Sequence, residues 1–129
     1  MKFILIIIIS ILITACNSRN LKPNFEAAGR YVIGKENCKT DTAQDYWLID
    51  FSIYPLPNNY GTTIILNGIS YKNVVKTIGL SPQFKVIGSR VGFDFHFTSS
   101  SIQTLNCAVT NPITFDLKEM QILRQAEIR

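Results

Sequence analysis

Val91-Gly92-Phe93-Asp94-Phe95-His96-Phe97-Thr98 alternates large apolar residues with small or polar ones along its whole length. A strand turns successive side chains to opposite faces, whereas a helix groups positions three and four apart. Val91, Phe93, Phe95 and Phe97 therefore share one buried face, and Gly92, Asp94, His96 and Thr98 share the other. Three phenylalanines on one face can anchor a core. A second stretch repeats the pattern, with Trp47, Ile49, Phe51 and Ile53 set against Leu48, Asp50, Ser52 and Tyr54. Between the two, residues 62–66 and 69–72 flank Asn67-Gly68, the pair that best suits a type I′ hairpin turn with positive φ at both positions.

Working outward, 29–35 reads as a first strand, and 73–80 with 83–88 as a further pair split by Ser81-Pro82. Residues 102–110, which contain Cys107, read as another strand. Ile113, Phe115 and Leu117 alternate after Asn111-Pro112. Past residue 16 the chain holds 27 Val, Ile and Thr residues but only 5 Ala and 4 Glu, a balance that favours strands. The expectation is an all-β domain, a single antiparallel β-sandwich or small barrel of about eight strands. The end of the chain is ambiguous. Leu117, Met120 and Leu123 step by three, as on a short C-terminal helix, while Ile113-Phe115-Leu117 and Met120-Ile122 suit strands. The preferred reading is a strand to about Leu123 and then a frayed tail.

The 129-residue chain carries a formal charge of +4, and its apolar residues are unevenly placed. Of the first 16 positions, 13 are apolar, and 3–13 is an 11-residue apolar run after Met1-Lys2. A bilayer-spanning helix needs roughly 20 such residues, so the run fits the apolar centre of a secretory signal peptide. It ends in Ile13-Thr14-Ala15-Cys16, which resembles the lipobox of bacterial lipoproteins, with Ile13 where Leu is usual. The resemblance covers residues 1–16. It implies cleavage after a signal peptide of residues 1–15 and acyl chains on Cys16; the polar, Pro23-containing stretch that follows reads as a tether, giving 16–25 as lipidated cysteine and tether and 26–129 as the β-rich domain. At least two acyl chains hold a protein stably at a membrane. Asn17, rather than Asp, after the cysteine implies outer-membrane sorting and a periplasmic face in a host with two membranes.

With Cys16 acylated, Cys38 and Cys107 remain as an even pair, and an oxidising compartment implies one disulfide between them. The spacing of Cys38, Trp47 and Cys107 invites comparison with immunoglobulin domains, but Leu105 stands where their corner tyrosine would be.

Candidate chemistry is sparse. His96 is the single histidine, with Asp94 on the same strand face and Ser99-Ser100-Ser101 following, but no nucleophile elbow frames a triad. A metal on Asp94 and His96 has no visible third ligand. Asp41, Asp45, Asp50 and Asp94 form no marked carboxylate pair, and Asp41-Thr42 reads as a turn cap. Phosphate-cradling and dinucleotide motifs are absent, and the bases are dispersed without a nucleic-acid motif. No enzyme, cofactor, metal site or nucleic-acid partner is expected. The best interaction candidate is the 54–61 loop, where Pro55 and Pro57 limit the entropy lost on binding and Tyr54 and Tyr60 can stack. The resulting expectation is a lipid-anchored cell-envelope protein that binds a protein or envelope polymer without catalysis. The alternatives are a periplasmic inhibitor or immunity-type lipoprotein, or a small envelope hydrolase. Lipoprotein lysozyme inhibitors share the size, β-rich make-up and disulfide, although Gly88-Ser89-Arg90-Val91-Gly92 matches their Ser-Ala-Ser-Gly loop poorly.

Overall fold

A computed structural model describes residues 27–52 and 60–128. Among them are six strands: β1 (Ala27–Lys35), β2 (Trp47–Asp50), β3 (Thr62–Leu66), β4 (Ile69–Thr77), β5 (Arg90–Ile102) and β6 (Leu117–Glu127). Sheet neighbours run β2-β1-β5-β6-β4-β3, and a further β2–β4 pairing closes five of the strands into a barrel. The ring is antiparallel except where Lys76 of β4 meets Glu119 of β6 in parallel. The all-β expectation holds in its barrel form, with six strands among the described residues.

The missing strands have local reasons. Residues 69–72 and 73–80 are not two strands, because Asn73 sits inside β4. There its carbonyl accepts from the Phe51 amide at 2.9 Å and its side-chain oxygen from the Gly61 amide at 2.6 Å. The Gly61 approach is so close that a Cβ would lie 2.2 Å from the Val74 carbonyl oxygen, so only glycine fits. Residues 83–88 are a 3₁₀ turn at Pro82–Phe84 and a bend, since proline favours a turn start and cannot donate to a ladder. Of 102–110, only Ile102 lies in a strand. The rest of the 103–116 segment is an irregular excursion in which Asn106 and Asn111 take positive φ of 56° and 55°.

No C-terminal helix forms. β6 pairs with β5 along most of its length, from Ile102↔Leu117 to Val91↔Glu127. Its three-residue step is two faces of one strand: Leu117 joins the outer cluster, while Met120 and Ile122 face the barrel interior. The tail is not frayed at Leu123. Gln125 anchors it, accepting from the Ser81 amide at 2.9 Å and donating to the Gly79 carbonyl at 3.1 Å.

The Asn67-Gly68 hairpin is as read, with φ of 51° and 79°. β3 pairs with the first half of β4 and β2 with the second, from Val74 to Thr77. The hairpin tip therefore projects beyond the barrel, and β4 passes from exposed to buried along its length.

The barrel interior holds Val32, Trp47, Ile49, Phe51, Val75, Leu80, Val91, Phe93, Phe95 and Met120. At one end Phe51, Tyr60, Phe95 and Phe97 pack ring on ring, with centroids from 4.7 Å (Phe95–Phe97) to 6.1 Å (Phe51–Phe97). The alternation of Val91, Phe93 and Phe95 produces this core. A second cluster of Leu48, Ile64, Val74 and Leu117 lies on the outer face of the wall, joined by Ile33, Leu66, Tyr71 and Phe115.

The 103–116 segment is tied across that outer face. Cys38 and Cys107 form the expected disulfide. The Ala108 amide donates to the Cys38 carbonyl at 2.8 Å, and Asn37 and Ile113 exchange backbone bonds at 2.9 and 3.0 Å. Beneath the segment Lys76 and Glu36 pair at 3.2 Å, both with fully buried side chains. Lys76 Nζ also donates to Thr104 Oγ1 at 2.7 Å and to the Phe115 carbonyl at 2.9 Å, and it lies 4.7 Å from the Tyr46 ring centre. Glu36 accepts from the Thr104 hydroxyl at 2.6 Å and the Phe115 amide at 2.9 Å. Every polar atom of this pair is thus engaged, as a buried ion pair requires.

Candidate functional site

β1 carries an irregularity at Ile33, where its register with β2 shifts between Val32 and Gly34. A bulge re-aims side chains and sharpens the local twist. It places Tyr31 and Ile33 on the outer face of the wall, opposite the interior-facing Val32. Tyr31 pairs in register with Asp50, which puts those two side chains on the same face. The β3–β4 hairpin folds over this face so closely that a Cβ on Gly34 would lie 2.8 Å from Leu66 Cδ2. Tyr71 comes with the hairpin. On the other side the bend at Ile87-Gly88 is stitched to β1, with the Gly88 amide donating to the Val32 carbonyl at 2.8 Å. Gly88 turns there with φ of 92°.

These elements leave a cleft of about 250 Å³ lined by Tyr31, Ile33, Asp50, Tyr71, Ile87 and Gly88, with Val32 at its base. Most of the lining is apolar or aromatic. Asp50 is the exception: it is 3% exposed and still reaches the cleft. Its Oδ1 accepts from the Ser52 amide at 2.9 Å and from the Ser52 hydroxyl. Among the described residues nothing bonds Oδ2. A carboxylate so deeply buried, lining a cleft with one oxygen bonded and the other without a bond from the described residues, is unusual because unpaired buried charge is costly. Beside the cleft, Val86 and Ile87 present exposed apolar surface. A second hollow of about 200 Å³, among Gln83, Phe84, Ser89, Arg90, Glu127 and Ile128, has no buried residue in its lining.

The residues singled out from the sequence distribute differently. Cys16 and the tether lie outside the described residues, as do Tyr54, Pro55 and Pro57. Tyr60 is described, and its ring is half buried in the aromatic cluster with Phe51, Phe95 and Phe97. Asp94 and His96 share an outer face, as read, but Asp94 is nearly buried and accepts from Arg124 Nε at 2.6 Å. His96 is exposed and stands opposite Gln121. The Ser99 side chain lies outside the described set. Asp41 caps the Thr42–Gln44 turn by accepting from the Ala43 amide at 3.0 Å, as the Asp-Thr pair suggests. Asp45 holds the disulfide loop, its Oδ1 accepting from the Cys38 and Lys39 amides at 3.0 and 2.8 Å. Among the described residues no group of three or more His, Cys, Asp and Glu side chains is arranged to hold a metal ion.

The cleft is a site the sequence does not announce. Asp50 is visible there only as one polar position in an alternating strand, and the bulge that brings Tyr31 beside it has no signal in residue order. Matching against protein-family models, curated proteins and solved structures returns nothing similar to this chain.

Proposed function

We propose that the chain is an exported, lipid-anchored cell-envelope protein whose barrel binds a partner without catalysis. The observation that carries the export reading is the Cys38–Cys107 disulfide, which belongs to an oxidising compartment and leaves Cys16 alone behind the lipobox-like Ile13-Thr14-Ala15. Acyl chains on Cys16 anchor the domain in the membrane, and in a host with two membranes Asn17 directs it to the outer membrane, facing the periplasm. The binding face is the cleft of Tyr31, Ile33, Asp50, Tyr71 and Ile87, because convergent apolar walls around a few fixed polar groups are what binding sites share.

Two measurements test this. Cys16→Ala abolishes incorporation of labelled fatty acid and releases the protein from the membrane fraction; unchanged lipidation and fractionation overturn the anchor. A photo-crosslinking residue at Ile87 captures a discrete partner in intact cells, whereas one at Leu123, exposed on β6, does not. Equal capture from both positions overturns the cleft as the binding face.

An inhibitor or immunity-type role is the second reading. It is favoured by the projecting β3–β4 hairpin, whose exposed Ile65 and Ile69 flank the tip. Here the test is whether Ile65→Asp abolishes inhibition of an envelope hydrolase by the purified protein.

A further inference from the structure

Asp50 and its surroundings specify more than a generic binding face. We infer that the cleft is a subsite for a lysine side chain of a partner protein, with Asp50 Oδ2 accepting from the ammonium group. The inference rests on the reading of the cleft as the binding face and adds the chemistry of its occupant.

Size is the first argument. A cleft of about 250 Å³ falls below the 300–1,000 Å³ usual for sites that enclose a whole small molecule, and suits one long side chain. Charge is the second. Among the described residues of the lining, Asp50 is the only carboxylate and no base stands beside it. A cation entering the cleft pairs with an anion already stripped of most of its water.

The third argument separates lysine from arginine. Guanidinium groups are favoured where both carboxylate oxygens are open to a two-pronged contact. Asp50 has Oδ1 committed to the Ser52 amide and hydroxyl, which leaves a single acceptor oxygen for a point donor. The walls supply the rest. Ile33 and Ile87 cover a methylene stem of the kind lysine buries beneath its charged head. Tyr31 and Tyr71 line the cleft with aromatic side chains, the residue type that attracts an ammonium. The exposed Val86 and Ile87 at the mouth favour a protein over a hydrated polysaccharide, because they need an apolar surface to cover them.

The test uses the full mature chain in detergent micelles and three end-blocked tripeptides: Ala-Lys-Ala, Ala-Arg-Ala and the norleucine peptide, which keeps the stem and lacks the ammonium. Binding is followed through the ring resonances of Tyr31 and Tyr71. The lysine peptide shifts them saturably, and the norleucine peptide binds at least about tenfold more weakly, since it leaves a buried charge unpaired. The arginine peptide falls between the two. Asp50→Asn removes the preference for lysine. Because Asp50 also holds the Ser52 turn, Ile87→Lys serves as the second variant: it sits on an exposed bend and places a tethered ammonium at the cleft mouth, blocking the peptide without touching the core. Equal binding of lysine and norleucine peptides overturns the inference, as does an intact preference in either variant. An amino-sugar oligomer that competes better than the lysine peptide also overturns it, because the occupant is then a polymer. If crosslinking from Ile87 still captures a partner while lysine shows no preference, the binding face stands and only its ligand chemistry fails. If both fail, the cleft itself is not the binding face.

Discussion

Along β2, Trp47 and Ile49 point into the barrel while Leu48 and Asp50 point out, and all four are buried. The two faces of this wall are filled by different means. The interior is closed by neighbours in the same ring of strands, through Val91, Phe93, Phe95 and Met120. Its side chains are apolar, and burying each contributes about 1.5–3 kcal/mol. The outer face is covered by chain outside the ring, namely β3 with the first half of β4, and the 103–116 segment. That cover is held by a disulfide, an isolated bridge and a buried ion pair. The lesson is that one barrel wall can have two cores, one specified by alternation and one by long-range cross-links.

Substitutions that remove one component from each face make the comparison quantitative. Phe93→Ala destabilises the interior by about 3–5 kcal/mol. Lys76→Met on the outer face costs about as much, because it leaves Glu36 buried and unpaired. Urea unfolding measures both. Adding Glu36→Leu to the Lys76 variant recovers part of the loss, since replacing a whole buried pair is far less costly than breaking it. If Lys76→Met costs no more than a surface change, ~0.5 kcal/mol, the outer face is not a second core.

Opening the disulfide is the next largest effect. Its cysteines are 69 residues apart, and Cys38→Ser with Cys107→Ser lowers stability by about 2–4 kcal/mol. The loss acts on the outer cover, so hydrogen exchange rises in 103–116 before it rises in β5. Exchange that rises first at Phe93 and Phe95 would show that the two faces fail together.

The smallest effect is a pH dependence confined to the outer face. Burial pushes the Tyr46 hydroxyl above its ordinary 10.0, and the carboxylates of Glu119 and Glu36 push it further. A folded-state value above the unfolded one means that the folded chain holds this proton more tightly. The stabilisation is therefore complete below pH 10.0 and lost as pH rises through the raised value. Tyr46→Phe flattens the alkaline limb of the stability profile and leaves the neutral region nearly unchanged. An identical alkaline slope in both proteins would rule out Tyr46 as the source.

The interior face was legible in the sequence and the outer face was not. Val91 to Phe97 and Trp47 to Phe51 reveal themselves because the period of two is local, and Asn67-Gly68 because positive φ is a property of those residues. Lys76 reads as a solvated charge interrupting an apolar run, since nothing near it in sequence discloses Glu36, Thr104 or the Phe115 carbonyl. Residues 102–110 read as a strand because they suit one, yet past Ile102 their partners are the loop after β1 and a disulfide. The cleft is hidden for the same reason: Tyr31, Asp50, Tyr71 and Ile87 come from four parts of the chain.

The order in which the ring closes has a kinetic consequence. Among the described strands β6 comes latest in the sequence, and it is the one that joins β5 to β4. Until it arrives, the preceding strands can form only an open sheet with two unsatisfied edges, and pairings this distant in sequence form slowly. A barrel that cannot shut before β6 is available has this delay built into its topology, a property that suits the export proposed above.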